Sequence, residues 1–338
     1  MDYRKRLANR EEVATQEMAR AYSKAMVPVL NDLKRIEALI LEAQKNGDEP
    51  DQVLIMLQSQ ARANLQILRE GLKQWANASA QAISAGQKDS AMMSNDQKKI
   101  VDLVQGPTPT GVVVAWNPIN EEAIQSIVGF AGDGSPLRDL FDGIFEAQEN
   151  AIVDTLVAGT AAGLGPEALS RAMYARVADP FNLPMTRAKV IARTEMMRAS
   201  RAANQILFEQ NPAITGYRRM AVQDRRACPA CIALSGTFHK VGEIMPTHPQ
   251  CRCTQVPVTK TFAEITGDRS IPDFNVPPLT GDMIMSGLSI DDQQAVLGME
   301  RWQMWKQGTP LQNFISVVDD PDWGPTTRTK PMWDTKPR

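Results

Sequence analysis

All four cysteines and both histidines of the 338-residue chain fall between Cys228 and Cys253. Cys228 and Cys231 form a C-x2-C pair. His248, Cys251 and Cys253 follow in an H-x2-C-x-C run, with His239 between the two halves. The chemistry that uses this spacing is tetrahedral zinc. A C-x2-C turn aims two sulfurs at one point, and a second half from a distant segment closes the sphere at about 2.0–2.3 Å per bond. Such a centre can contribute on the order of 10–16 kcal/mol to folding, enough to hold a small loop-rich module together. Five good donors compete for four places. Cys251 and Cys253 share one face if their segment is extended, so the expected set is Cys228, Cys231, His248 and one of those two. His239 ranks last.

Other uses of these residues fit less well. A pair of disulfides requires an oxidising compartment, and the first residues, MDYRKRLANREEVATQEMAR, hold no apolar signal-peptide core. A C-x2-C redox motif has no use for a downstream H-x2-C-x-C. A zinc deaminase places Glu two residues past a histidine and Pro before the first cysteine; here Val241, Gln250 and Ala227 occupy those positions.

Composition bounds the rest. At 43% hydrophobic and 22% charged, the chain resembles ordinary globular protein of two or three units. Few aromatics and many Ala, Met and Gln residues lean it toward helix. No run of 18 apolar residues is long enough to span a bilayer. These features read as a soluble, intracellular protein. The formal charge of −2 hides an asymmetry: Arg171 to Lys260 holds 14 Lys/Arg against 5 Asp/Glu, a local +9. A basic block attracts phosphate. Arg218, Arg219, Arg225, Arg226 and Arg252 are the candidate contacts to DNA; a solvated charged face is the alternative.

The elements that must position the cluster can be read in outline. The expected fold is mainly α, with a small α+β zinc-stapled module, a helical N-terminal region and an extended C-terminal tail. Residues 1–105 form the helical region, hairpin or coiled-coil in type. Pro28 is expected to break or kink its first helix near Met26. Leu33, Ile36, Ile40 and Ala43 lead to a stop at Asn46-Gly47-Asp48, and Pro50 opens the second helix. Its seam of Leu54, Leu57, Ala61, Leu65, Leu68, Leu72 and Trp75 alternates steps of three and four. The hairpin packs on itself or on neighbouring subunits.

Residues 106–139 read as linker and helix, opening with the breaker cluster from Gly106 to Gly111. Val112 to Ala115 is a candidate strand, and Asn117 a candidate N-cap with Pro118 in the first turn. Helices are expected over 137–163, from Pro166 to Arg176 and over Met185–Gln210, where Glu195 and Arg198 stand at pairing distance. Arg193 and Glu195 point about 200° apart, which argues against a joint catalytic role. Strands over Tyr217–Val222 and Thr254–Val258 can pair antiparallel around a small hairpin at Gly236-Thr-Phe238. Residues 259–338 form an extension with short helices, one capped by Ser289 with Asp291 and Asp292 in its first turn. A second runs from Met299 to Gln307, and the irregular tail follows.

The order Ile191-Ala-Arg-Thr-Glu195, Arg198-Ala199, Asn204, Asp224-x-Arg-x-Cys228-x-x-Cys231, Gly236 and His248-Pro-x-Cys251-Arg-Cys253 resembles the head-morphogenesis domain of phage Mu F-like minor head proteins. The resemblance covers roughly residues 140–258. The segment from Leu288 to Gly298, with Trp302 and Trp305, also looks like what often follows that domain. The resemblance implies a structural protein of tailed-phage heads, present in few copies. It implies association with portal, major capsid or scaffold proteins, and action in head assembly, DNA packaging or DNA ejection. The implied location is the virion, and the host cytoplasm during assembly. No catalytic residue carries over.

Two other functions compete. A zinc-dependent nuclease needs a general base, normally His, and an open metal position. With His248 a ligand, His239 alone remains, and no acidic pair flanks it. A zinc-dependent nucleic-acid-binding regulator would use the basic block, but no recognition-helix signature appears. A non-enzymatic virion component with a structural zinc is therefore expected, with non-specific DNA contact and self-association through the N-terminal helices as further expectations.

Overall fold

The structure is a computed structural model. It describes residues 3–47, 50–106, 108, 115–131, 134–161, 168, 171–172, 175, 183–271, 277–320 and 324–335. In chain order the helices are α1 (Tyr3–Asn46), α2 (Pro50–Met92), α3 (Gln97–Gln105), α4 (Glu121–Ile127), α5 (Asp142–Ala161) and α6 (Leu183–Glu209). Then come β1 (Ile214–Met220), α7 (Pro229–Ala233), β2 (Phe238–Lys240) and β3 (Thr254–Thr259). Short helices α8 (Phe262–Thr266), α9 (Gly281–Gly287), α10 (Ile290–Leu297) and α11 (Met299–Lys306) precede β4 (Ile315–Asp320) and β5 (Gly324–Thr329). The chain divides into two compact units, one of residues 4–86 and 129–192, the other of residues 1–3, 87–128 and 193–338.

The first unit contains the helical hairpin. Along α1, Leu7, Ala14, Met18, Tyr22, Ala25, Met26, Val29 and Leu33 are buried, and the steps of three and four put them on one face. Leu68, Leu72 and Trp75 answer them from α2; the side chains of Leu54, Leu57 and Ala61 lie outside the described residues. Trp75 is fully enclosed and donates its indole N–H to Met18 O at 3.0 Å. Its ring meets Tyr22 and Phe141 edge-on, at 5.2 and 5.4 Å between centroids. Gly71 lets the helices approach, since a Cβ there would stand 2.7 Å from Ala25 O. Asn64 donates to Val29 O and Asp32 Oδ2. The pairs 18–75, 25–71 and 29–64 run in opposite directions along the two helices, so the hairpin is antiparallel.

Two local expectations need correcting. The first helix does not end near Met26 but runs through Pro28 to Asn46. Proline removes one hydrogen bond and crowds the preceding turn, yet Met26 and Val29 on either side are buried in the hairpin seam, and that packing holds the helix together. Nor does Asn117 cap a helix. Asn120 does, accepting from Ala123 N at 2.8 Å, while Asn117 exchanges hydrogen bonds with Gln210 and Asn211. The candidate strand at Val112–Val114 and the bounds of a helix at 166–176 lie outside the described residues.

The second unit is built on an antiparallel sheet of order β2-β1-β3. β1 is central, pairing Tyr217 with His239 on one side and with Pro257 on the other. Its neighbours come close at Gly216, where a Cβ would run into His239 O and the Phe238 ring. The core around this sheet includes Leu207, Phe208, Tyr217, Ile232, Leu297 and Phe314. From α3, Gln97 donates to Gln255 O on β3 at 3.3 Å.

The C-terminal stretch is extended, as its prolines suggest, but it is paired. β4 and β5 form an antiparallel hairpin from Ile315↔Thr329 to Asp320↔Gly324. Thr326 makes a parallel bridge to Thr247, with Thr247 N donating to Pro325 O at 3.1 Å and Thr327 N to Thr247 O at 2.9 Å. The residue it clasps is the one before His248.

Candidate metal centre

Each half of the cysteine cluster is set by local backbone chemistry. Asp224 closes a turn by accepting from Arg226 N at 2.8 Å, and the chain then enters α7 with Cys228 as its N-cap. A thiolate is an apt cap: Cys228 Sγ accepts from Cys231 N at 3.2 Å, an orphan N–H of the first turn. Pro229 at the first helical position sacrifices no bond. One turn therefore points both sulfurs the same way.

The second half is held from behind. Gln250 has φ +64°, the sole non-glycine positive φ among the described residues. Its N–H donates to Thr194 Oγ1 at 3.0 Å, and its Oε1 accepts from Arg193 at 3.0 Å. Cys251 N closes the turn on His248 O. Arg201 forks onto the next carbonyls, Nη2 to Cys251 O at 2.7 Å and Nε to Cys253 O at 3.2 Å.

The two halves meet. His248 Nε2 is 3.1 Å from both Cys228 Sγ and Cys231 Sγ. Cys231 Sγ is 3.7 Å from Cys251 Sγ, and Cys231, Cys251 and Cys253 form a second trio whose ligand atoms all lie within 4.8 Å. Cys231 belongs to both trios. His248 Nδ1 faces Pro249 O at 2.7 Å. A carbonyl can only accept, so Nδ1 carries a proton, and the ring once neutral would present its Nε2 lone pair to the sulfurs, the tautomer a metal requires. The donors are soft thiolates with one imidazole, mutually close and mostly buried: this cluster could hold a metal ion.

Electrostatics divide the four thiols. The hydrogen bond with Cys231 is the largest influence on Cys228; with His248 it overcomes burial and pulls that thiol down to about 4. Burial pushes His248 down, but Cys228 and Cys251 more than offset it, and the imidazole ends above its usual value. Hydrogen bonds from Cys231 and Cys253 lower Cys251 as well, whereas Cys231 is raised well above its usual value and Cys253 to about 11, so two of the four thiols favour the ionised form that binds metal and two must be deprotonated on binding.

Residues 150–256 match the family model described as Phage Mu protein F like protein. Over that segment the chain is similar to this family. The matched segment begins within α5 and ends in β3, so it includes α6, the central strand, both halves of the cysteine cluster and His248. No curated protein and no solved structure matches the chain.

Within the matched segment, the other candidate residues separate by exposure. Arg225 and Arg226 are exposed; Arg218 and Arg252 are half-buried. Arg226 holds Asp224 at 2.9 Å, and Arg252 donates to Arg226 O while standing 3.6 Å from the same carboxylate. Burial raises the Asp224 pKa, but the Arg226 hydrogen bonds outweigh it and the net shift is downward. A cavity of about 250 Å³ opens over Cys228 and His248, with Arg193, Arg226 and Arg252 in its wall. Arg219 does not belong with these. It is fully buried and has no surface to offer a phosphate; alternation along β1 turns it toward the cysteines, whereas Arg218 reaches Gly236 O and the Phe238 ring.

His239 lies flat on Tyr217, 5.1 Å away, with Thr237 and Glu243 as its polar neighbours. It is in neither sulfur trio. Glu195 is buried and paired with Arg198 at 3.2 Å, the i,i+3 pair expected on this helix. Sequence reasoning missed Arg201, Thr194 and Thr247. Their hydrogen bonds reach 50 to 80 residues along the chain, and no local pattern announces them.

Proposed function

We propose that this protein is a non-enzymatic component of a tailed-phage head, a minor head protein whose Mu F-like domain is stapled by one structural zinc ion. The match over residues 150–256 carries the reading. The cysteine cluster supports it, because its second half is held from behind by hydrogen bonds and the chain itself offers enough donors to fill all four positions of a structural site. Cys228, Cys231 and His248 supply three ligands, and Cys251 or Cys253 the fourth. His239, the remaining candidate for a general base, is committed to the β1–β2 face.

In this reading the N-terminal helical hairpin docks on portal, capsid or scaffold proteins or on its own copies, and the domain works in assembly, packaging or ejection of DNA. The protein resides in the virion after passing through the host cytoplasm. No described helix is long and apolar enough to cross a membrane. Arg225, Arg226, Arg252 and Arg218 are the side chains available to phosphates, and contact through them would be sequence-indifferent and salt-sensitive.

The test is fractionation of procapsids and mature heads on a gradient. The protein should co-sediment with portal-containing particles in a small, fixed ratio to capsid protein. Its absence from purified heads and procapsids alike would refute the assignment. Metal analysis of the purified chain should return about one zinc per chain.

A further inference from the structure

The sulfur cluster has a buried partner that metal-ligand spacing does not reveal. Arg219 stands on the central strand with no exposed surface, among the largest fully buried side chains of the protein. A guanidinium does not lose its charge in a protein, and a buried cation without an anion is strongly destabilising. Its Nη1 donates to Pro246 O. Its Nη2 points at Cys231 Sγ at 3.3 Å and Cys251 Sγ at 3.8 Å. Among the described residues, the groups that offset its charge are the cysteines, not a carboxylate.

Charge counting then restricts the centre. A divalent ion with three thiolates and one imidazole carries a net −1, which one guanidinium neutralises. Four thiolates would leave −2 beside a single fully buried cation. Arg201, on the carbonyls of Cys251 and Cys253, also favours the Cys251 thiolate but is half-buried, so Arg219 is the one of the two that is fully buried.

We propose that Arg219 is the counter-cation of the metal–thiolate centre, a positioning residue that matches the cluster to a divalent ion held by three thiolates and His248. This rests on the metal-centre reading above. The guanidinium fork also ties Cys231, the sulfur common to both trios, to the loop carbonyl at Pro246, two residues before His248. It thereby sets the spacing of the two halves before metal arrives.

The experiment uses the full chain, stripped and reloaded with zinc or cobalt, with affinity read by chelator competition. Arg219→Met should weaken binding about 10–100-fold, the range for lost partners of metal ligands. Arg219→Lys should recover part of the loss, and Lys240→Met, exposed on β2 and outside both sulfur trios, should bind like wild type. The cobalt protein should show thiolate charge-transfer absorption of three-sulfur intensity. Wild-type affinity in Arg219→Met overturns the counter-cation role while leaving the metal centre standing, as does a four-sulfur cobalt spectrum. A wild-type chain that binds no metal overturns both. Should Arg219→Met fail to fold with zinc present, Arg219→Lys decides: binding within about ten-fold of wild type supports the charge role, and loss of binding refutes it.

Discussion

Stripping the metal is the perturbation that reaches furthest into this molecule. In the proposed centre, an ion would join two segments twenty residues apart in sequence, Cys228 to His248. Without the ion, those segments are still held by the β1–β3 ladder, by Arg201 on the carbonyls of Cys251 and Cys253, and by the core around Ile232 and Phe314. Loss of metal should therefore destabilise the unit rather than unfold it. An ion at a thousand times its dissociation constant stabilises the folded state by about 4 kcal/mol. For a unit of roughly 190 residues, each kcal/mol moves the melting temperature by about 2–4 °C. The melting temperature should thus fall by about 8–16 °C in chelator. The assay is a calorimetric or circular-dichroism melt with and without a strong chelator, with zinc added back to restore the first curve. Identical melts in both conditions, in a protein free of metal as isolated, would refute the reasoning.

Four further outcomes are expected. Metal affinity should fall as pH falls, because the Cys231 thiol and the His248 imidazole, both with raised pKa values, must surrender protons to bind; the fall should steepen as pH drops through the raised His248 value, as chelator competition at stepped pH would show. Thr327→Pro removes the N–H that meets Thr247 O. Losing one such bond, about 1 kcal/mol, should weaken metal binding several-fold by loosening the residue before His248; unchanged binding would exclude the clasp. Pro28→Ala, exposed on α1, should raise stability by about 1–3 kcal/mol in denaturant titration, since alanine restores a helical N–H. Gly216→Val should do the opposite, separating β1 from β2 by about 2 kcal/mol or more, because its Cβ has no space beside His239 and Phe238.

Much of this arrangement is legible in the chain before any coordinates. Asn46-Gly47 ends a helix where its glycine takes φ +76°, and Ser289 caps one with the bond expected of it, from Asp292 N at 3.2 Å. The pairing of the strands flanking the cysteines follows from their alternation, and the grouping of Cys228, Cys231, His248, Cys251 and Cys253 from spacing alone. What escapes the sequence is whatever depends on partners far along the chain. Pro28 reads as a breaker because local cost is visible and the buried seam that outweighs it is not. Arg219 reads as one more surface cation in a basic run, Tyr217-Arg-Arg-Met. Only the parity of a strand whose other face is known distinguishes it from Arg218. The C-terminal residues read as extended but unpaired, because a two-stranded ribbon of Thr, Pro and Asp carries no apolar rhythm.

The clasp between Thr247 and the terminal hairpin also fixes an order of events. A ribosome that has released Cys253 has already delivered every sulfur and the imidazole, so an ion can be captured early. The segment before His248 is not fastened until residues 325–327 have emerged, 72 to 74 codons later. Metal capture and final locking are thus separated in time. A polypeptide cut short before the hairpin would carry all its ligands and still lack the brace that keeps them in register.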